Sequence, residues 1–169
     1  MNSSRNHVQL YIEKKLGCND FLKWTSYKSK LEDTVLSYED ELELENLAIS
    51  DAKSYYKKAL ISFCEAFLGL KKNRSSWSIV KLYYSIFYSI RADILLENYF
   101  LVRCGGFYYS TIKNGAKFNK FSSKKAKGDH QLTSYFYHKL HIERKNIDPL
   151  QDGFIDEILP YFWLMSQRE

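Results

Sequence analysis

The chain has 169 residues, 45% of them hydrophobic and 27% charged, with two prolines and seven glycines, which suits one ordinary globular domain. A chain of this length buries about 70% of its unfolded surface, so it needs neither a disulfide nor a metal to hold a core. The net charge of +5 is modest, and it is unevenly spread.

The most apolar run, Ala59 to Leu70, is too short to span a bilayer and contains Glu65. Met1 to His7 is polar, and no apolar stretch of signal-peptide type follows. Cys18, Cys64 and Cys104 are odd in number and widely spaced, which argues against a disulfide framework or a zinc site. The expectation is a cytoplasmic protein with no membrane contact, no metal and no cofactor.

In chain order, residues 1–36 read as an N-terminal helix and extension of a single domain. Ser3 or Ser4 is the expected cap, Val8, Tyr11, Ile12 and Leu16 form one face, and Gly17 ends the helix. Residues 18–36 give no firm pattern beyond two anchors, Trp24 and Tyr27. Residues 39–97 read as long helices. A break is expected near Ser50-Asp51, and Ala52, Tyr56, Ala59, Phe63, Ala66 and Leu70 then repeat at spacings of four and three.

After the polar turn at 71–76, with Ser75 or Ser76 as cap, a second stripe follows: Trp77, Val80, Tyr84, Phe87, Arg91 and Ile94. A short turn makes two such helices antiparallel, and small residues on one are expected to face large ones on the other. Cys64 is read as part of that core.

Within residues 98–128, two β-prone runs flank Gly105-Gly106 and form either a small hairpin or an ordered loop. The lysine-rich stretch "KNGAKFNKFSSKKAKG" is expected to be a mobile segment. Residues 129–169 complete the helices. Asp129 caps one with Leu132, Phe136 and Leu140 on a side; Asp148-Pro149 starts the last, which Pro160 kinks.

The stretch from Ser50 to Leu96, "SDAKSYYKKALISFCEAFLGLKKNRSSWSIVKLYYSIFYSIRADILL", resembles the paired central helices of HEPN-like domains. The features that carry the resemblance are the polar turn, the Tyr-Tyr-x-x-Phe-type run at Tyr83, Tyr84 and Phe87, and a downstream Arg or Ala-Leu-Leu, where this chain has "RADILL". "GDHQLTSYF" is similar to the start of that family's third helix. The resemblance covers roughly Ser50 to Leu164. It implies an all-α, HEPN-like helical bundle with a central antiparallel helix pair, into which the small β-hairpin or ordered loop of residues 98–128 would be inserted.

Many members of that family are metal-independent ribonucleases with an arginine followed by a histidine four to six residues later. The histidine would act on the ribose 2′-hydroxyl and the arginine on phosphate charge. No arginine in this chain has a histidine at that distance. The nearest remnant is "HKLHIERKNIDP", so a ribonuclease would have to use a divergent site of Arg144, His141, Asn146 and His138.

The resemblance therefore implies a non-catalytic subunit or adaptor of a bacterial defence or toxin–antitoxin complex. Its partners would be a second copy or a hetero-complex with an ATPase or nuclease, through Tyr83, Tyr88, Arg91, Phe162 and Trp163. The alternatives are the divergent ribonuclease or a sequence-independent RNA- or DNA-binding module. The latter would use Lys113, Lys117, Lys120, Lys124, Lys125 and Lys127, with Phe118 and Phe121 available for base stacking. Arg91 lies on an apolar stripe, where an unpaired charge costs several kcal/mol. It is expected either to pair with Asp93, Glu65 or Asp129 at the bundle edge or to face a polar groove shared with a second subunit or RNA.

Overall fold

The computed structural model describes residues 5–18, 20–122 and 128–145. Five α-helices and a small three-stranded antiparallel sheet make up these residues, in two units with a core each.

The first unit lies within Met1–Ser54 and Ala92–Ser122. Its first helix, α1 (His7–Lys15), is capped by Asn6, whose side chain accepts from the Gln9 N–H at 2.8 Å, in place of the expected Ser3 or Ser4. A second cap comes from far along the chain. Asp51 is buried, and its two carboxylate oxygens accept from the backbone N–H groups of His7 (3.0 Å) and Val8 (2.9 Å). Asp51 was expected to interrupt its own helix; instead α3 runs unbroken over Tyr38–Lys71, and the carboxylate neutralises the start of another helix. Gly17, at φ +75°, closes α1 as expected: its N–H meets Lys14 O, and the next N–H, of Cys18, meets Glu13 O.

The stretch without a firm reading forms a 3₁₀ turn (Phe21–Tyr27) and the short α2 (Lys28–Asp33). Trp24 is buried, stacks on Tyr27 and donates its indole N–H to the Arg103 carbonyl.

Helix α3 opens with a reciprocal cap. The Ser37 N–H donates to Asp40 at 2.6 Å, and the Asp40 N–H donates back to the Ser37 hydroxyl. Burial disfavours the Asp40 charge. Even so, the Lys15 ammonium, the Ser37 N–H and the Tyr11 hydroxyl, all within hydrogen-bond distance, bring its pKa down to about 2. Tyr11 is pushed the other way, to about 12, by burial and by that carboxylate.

Strands β1 (Tyr99–Arg103) and β2 (Phe107–Thr111) form the hairpin around Gly105-Gly106, and β3 (Asn119–Phe121) pairs with β2. The third strand corrects the expectation of a mobile lysine segment, at least as far as Phe121. Lys117 bridges to Val35, and Leu36 exchanges backbone hydrogen bonds with Gly115 and Ala116. Phe118 and Phe121 are buried, so hydrophobic anchoring orders the stretch despite its charge. Phe100, Val102, Tyr108, Ile94, Leu44 and Leu31 fill the core of this unit.

The second unit lies within Tyr55–Arg91 and Ser123–Glu169. It holds the C-terminal half of α3, most of α4 (Ser75–Leu96) and α5 (Asp129–Lys145). The expected antiparallel pairing of α3 with α4 is present. Tyr55 stacks on Tyr88 at 6.2 Å, Glu65 pairs with Lys81 at 2.6 Å, and Gly69 meets Ser78, so partners run in opposite directions.

Only part of the expected stripes is buried: Ala52, Ala59, Ala66, Phe87 and Ile94 are, and the large α3 residues are not. The buried α3 positions are Ala59, Ser62, Ala66 and Gly69, while Tyr56, Phe63, Leu70 and Cys64 are exposed. Small meets small at the turn: a Cβ on Gly69 would lie 2.4 Å from the Ser78 hydroxyl. A side chain this small lets two backbones approach closely, which a large–small seam would prevent. Phe87 is buried on α4, and Phe136 and Leu140 are buried on α5 as expected, but Trp77 is exposed. Among the described residues no helix is long and apolar enough to cross a membrane. The expected last helix, from Asp148 through Pro160, lies outside the described residues.

Candidate functional site

One side of α4 in the second unit gathers ring and cationic groups around Phe87. The His130 imidazole, in the first turn of α5, lies flat on Phe87 with centroids 3.9 Å apart and planes 4° apart. Its Nδ1 is 2.6 Å from the Tyr83 hydroxyl. When that hydroxyl donates, the neutral imidazole carries its proton on Nε2. Tyr84 meets the same imidazole edge-on and stacks on Tyr88, which in turn stacks on Tyr55.

Arg91 closes the cluster. Its guanidinium lies 5.1 Å from the Tyr55 ring centre and 5.8 Å from that of Phe87. No ion pair joins it to a carboxylate among the described residues, so the expected pairing with Asp93, Glu65 or Asp129 is corrected. Aromatic faces offset the loss of water instead: a cation over a ring is favourable by about 0.5–2 kcal/mol, and the head stays half-exposed.

The structure thus brings together three residues selected from the sequence, Tyr83, Tyr88 and Arg91, and adds His130, which was not foreseen. His130 and Tyr83 are separated by 47 positions and sit on different helices, so no local spacing announces them. The cluster is inward-looking chemistry. Its histidine is stacked on Phe87 and on Tyr83, to whose hydroxyl it is also bonded, and its arginine covers two rings.

The remaining candidates lie elsewhere. His138 and His141 are half-buried on α5, with His141 edge-on to Tyr137 at 4.2 Å. Arg144 falls at the end of α5, where its side chain lies outside the described residues, as does Asn146. Lys113, Lys117 and Lys120 are exposed in the first unit, whereas Lys124, Lys125 and Lys127 lie outside the described residues, as do Phe162 and Trp163. With Phe118 and Phe121 buried, the described lysines can offer charge to a phosphate backbone, but those rings cannot stack on bases. Among the described residues no group of three His, Cys, Asp or Glu side chains is placed to hold a metal.

The second feature is a surface. In the second unit Leu60, Phe63, Phe67, Trp77, Ile79 and Ile86 are exposed, Leu60 by 63% and Phe67 by 54%. Sequence periodicity placed Phe63 and Trp77 in the core; they are on the outside because the alanine, serine and glycine positions took the seam. Comparison with family models, characterised proteins and solved structures finds no match to this chain.

Proposed function

We propose that this protein is a non-catalytic, HEPN-like helical subunit that works by holding a protein partner, in the setting of a bacterial defence or toxin–antitoxin complex. The observation that carries this reading is the set of large apolar side chains exposed on α3 and α4 of the second unit, Leu60, Phe63, Phe67 and Trp77 among them, while small ones fill the seam. Large apolar side chains that adjoin on a surface mark interaction sites. Two further points support it. In the Tyr-Tyr-x-x-Phe run Phe87 is buried and the two tyrosines are half-buried, and its histidine neighbour is engaged in ring packing.

The test is an RNA-cleavage assay with the purified chain and total RNA. The adaptor reading expects no cleavage above background and no effect of Arg144→Ala. Robust cleavage by the wild-type chain that is lost in Arg144→Ala or His141→Ala would replace this reading with the ribonuclease one.

A further inference from the structure

One ring in the second unit is shared by two cations. The Lys58 ammonium, on α3, lies 5.5 Å from the Tyr55 ring centre and 5.9 Å from that of Tyr88, the ring on which Tyr55 stacks. The Arg91 guanidinium, on α4, lies 5.1 Å from the same Tyr55 ring centre. All four residues belong to the second unit.

Neither cation pairs with a carboxylate among the described residues. A ring face attracts each of them, but an aromatic quadrupole carries no net charge, so the rings leave two like charges uncancelled beside one another. The two heads also differ in kind. Lys58 is exposed on a flexible stem, whereas Arg91 is half-buried, held over Tyr55 and Phe87, and carries a planar fork of N–H donors. A fork fixed by rings, with a movable ammonium beside it, suits one oxyanion group: the fork takes two oxygens side by side and the ammonium follows the remaining charge.

A nucleic-acid backbone would need a row of cations along its path. Here the row is short. About two turns beyond Lys58 on the same side of α3 stands Glu65, a carboxylate that already holds Lys81. The arrangement fits a single anionic group at the tip of a side chain. We infer that Lys58 and Arg91, set on the Tyr55–Tyr88 stack, receive one anionic side chain of the protein partner, a carboxylate or a phosphorylated hydroxyl. The inference rests on the subunit reading above and names the chemistry that the partner presents.

The test follows the Arg91 guanidinium N–H resonance in the full-length chain, labelled at arginine and assigned with Arg91→Lys. Three N-acetylated, C-amidated tripeptides are titrated at constant ionic strength: Ala-Glu-Ala, Ala-phosphoserine-Ala and the neutral Ala-Gln-Ala. At least one charged peptide is expected to bind with a dissociation constant of about a millimolar, and the neutral one about tenfold or more weaker. Lys58→Gln, an exposed change, should weaken the charged peptide about fivefold with the melting temperature unchanged. Arg91→Gln, followed through the tyrosine ring resonances, should abolish binding. A tenfold preference for the phosphoserine peptide assigns the site to a phosphorylated side chain; the reverse, or parity, assigns it to a carboxylate.

Charged and neutral peptides that bind alike, or that all leave the resonance unmoved, overturn the inference. So does a short RNA oligonucleotide that binds more than tenfold tighter than either charged peptide and loses that advantage in Lys58→Gln, since the site would then serve nucleic acid. RNA cleavage by the chain would instead sink the subunit reading, whatever the peptides do, which keeps the two failures distinguishable.

Discussion

The two units solve the packing problem in opposite ways. In the first, large side chains such as Phe100, Tyr108, Leu31 and Ile12 are fully buried, and the polar groups that go in with them are matched: Asp51 caps α1, Asp40 binds Lys15 and Tyr11, and Tyr108 donates to Glu32. In the second, the α3–α4 seam is lined by alanine, serine and glycine, while leucine, phenylalanine and tryptophan remain outside. Burying apolar area contributes about 25 cal/mol per Å², so a small-residue seam gains little from area and relies on close approach. Leu22, Tyr38 and Leu42 stay exposed in the first unit as well, but among the described residues the second exposes more of its large apolar side chains, and that difference is the physical basis of the subunit reading.

The largest effect should come from the first unit. Phe100 is fully buried against Phe118, so Phe100→Ala should destabilise by about 3–5 kcal/mol, read from chemical denaturation. A loss below about 1 kcal/mol would mean that this core is not the tightly filled one.

Next is acid. The folded pKa of Asp40, about 2, is below its ordinary value of 3.8, so its contribution is full above about pH 4 and is lost as pH falls toward 2. The shift corresponds to about 2 kcal/mol, and Asp40→Asn should flatten that part of the stability–pH curve. A curve that keeps its slope after the substitution would place the acid sensitivity elsewhere.

The second unit should respond to size rather than to charge. Gly69→Ala would gain about 1 kcal/mol of helix propensity, but its Cβ would sit 2.4 Å from the Ser78 hydroxyl, so a net loss of about 1–2 kcal/mol is expected. Ser78→Ala in the same chain should recover much of it. If Gly69→Ala stabilises instead, the close approach of α3 and α4 is wrong.

Local signals in the sequence were read well where the partner is near in the chain. Gly17 ends α1, Gly105-Gly106 turns the hairpin, and the polar turn at 71–74 pairs α3 with α4, because each depends on a few neighbouring residues. The Ser37-x-x-Asp40 cap that opens α3 is local in the same way. Other features could not be read locally. Asp51 looks like a helix breaker until α1 is seen above it, and His130 has no meaning without Tyr83 and Phe87. The α3 stripe went astray for a simpler reason. Alternating alanines and large residues have the same spacing, and periodicity alone does not say which row faces the neighbour. The backbone approach permitted by Gly69 and Ser78 decides it.

The contrast between the units is tested most directly by Phe63→Ser/Phe67→Ser, with denaturation at high dilution and sedimentation at high concentration measured on the same samples. Both side chains are more than half exposed, so stability of the dilute chain should stay within about 0.5 kcal/mol of wild type while self-association is lost. A loss of several kilocalories in the dilute chain, with association unchanged, would show that these residues belong to a core and that the second unit holds no surface for a partner.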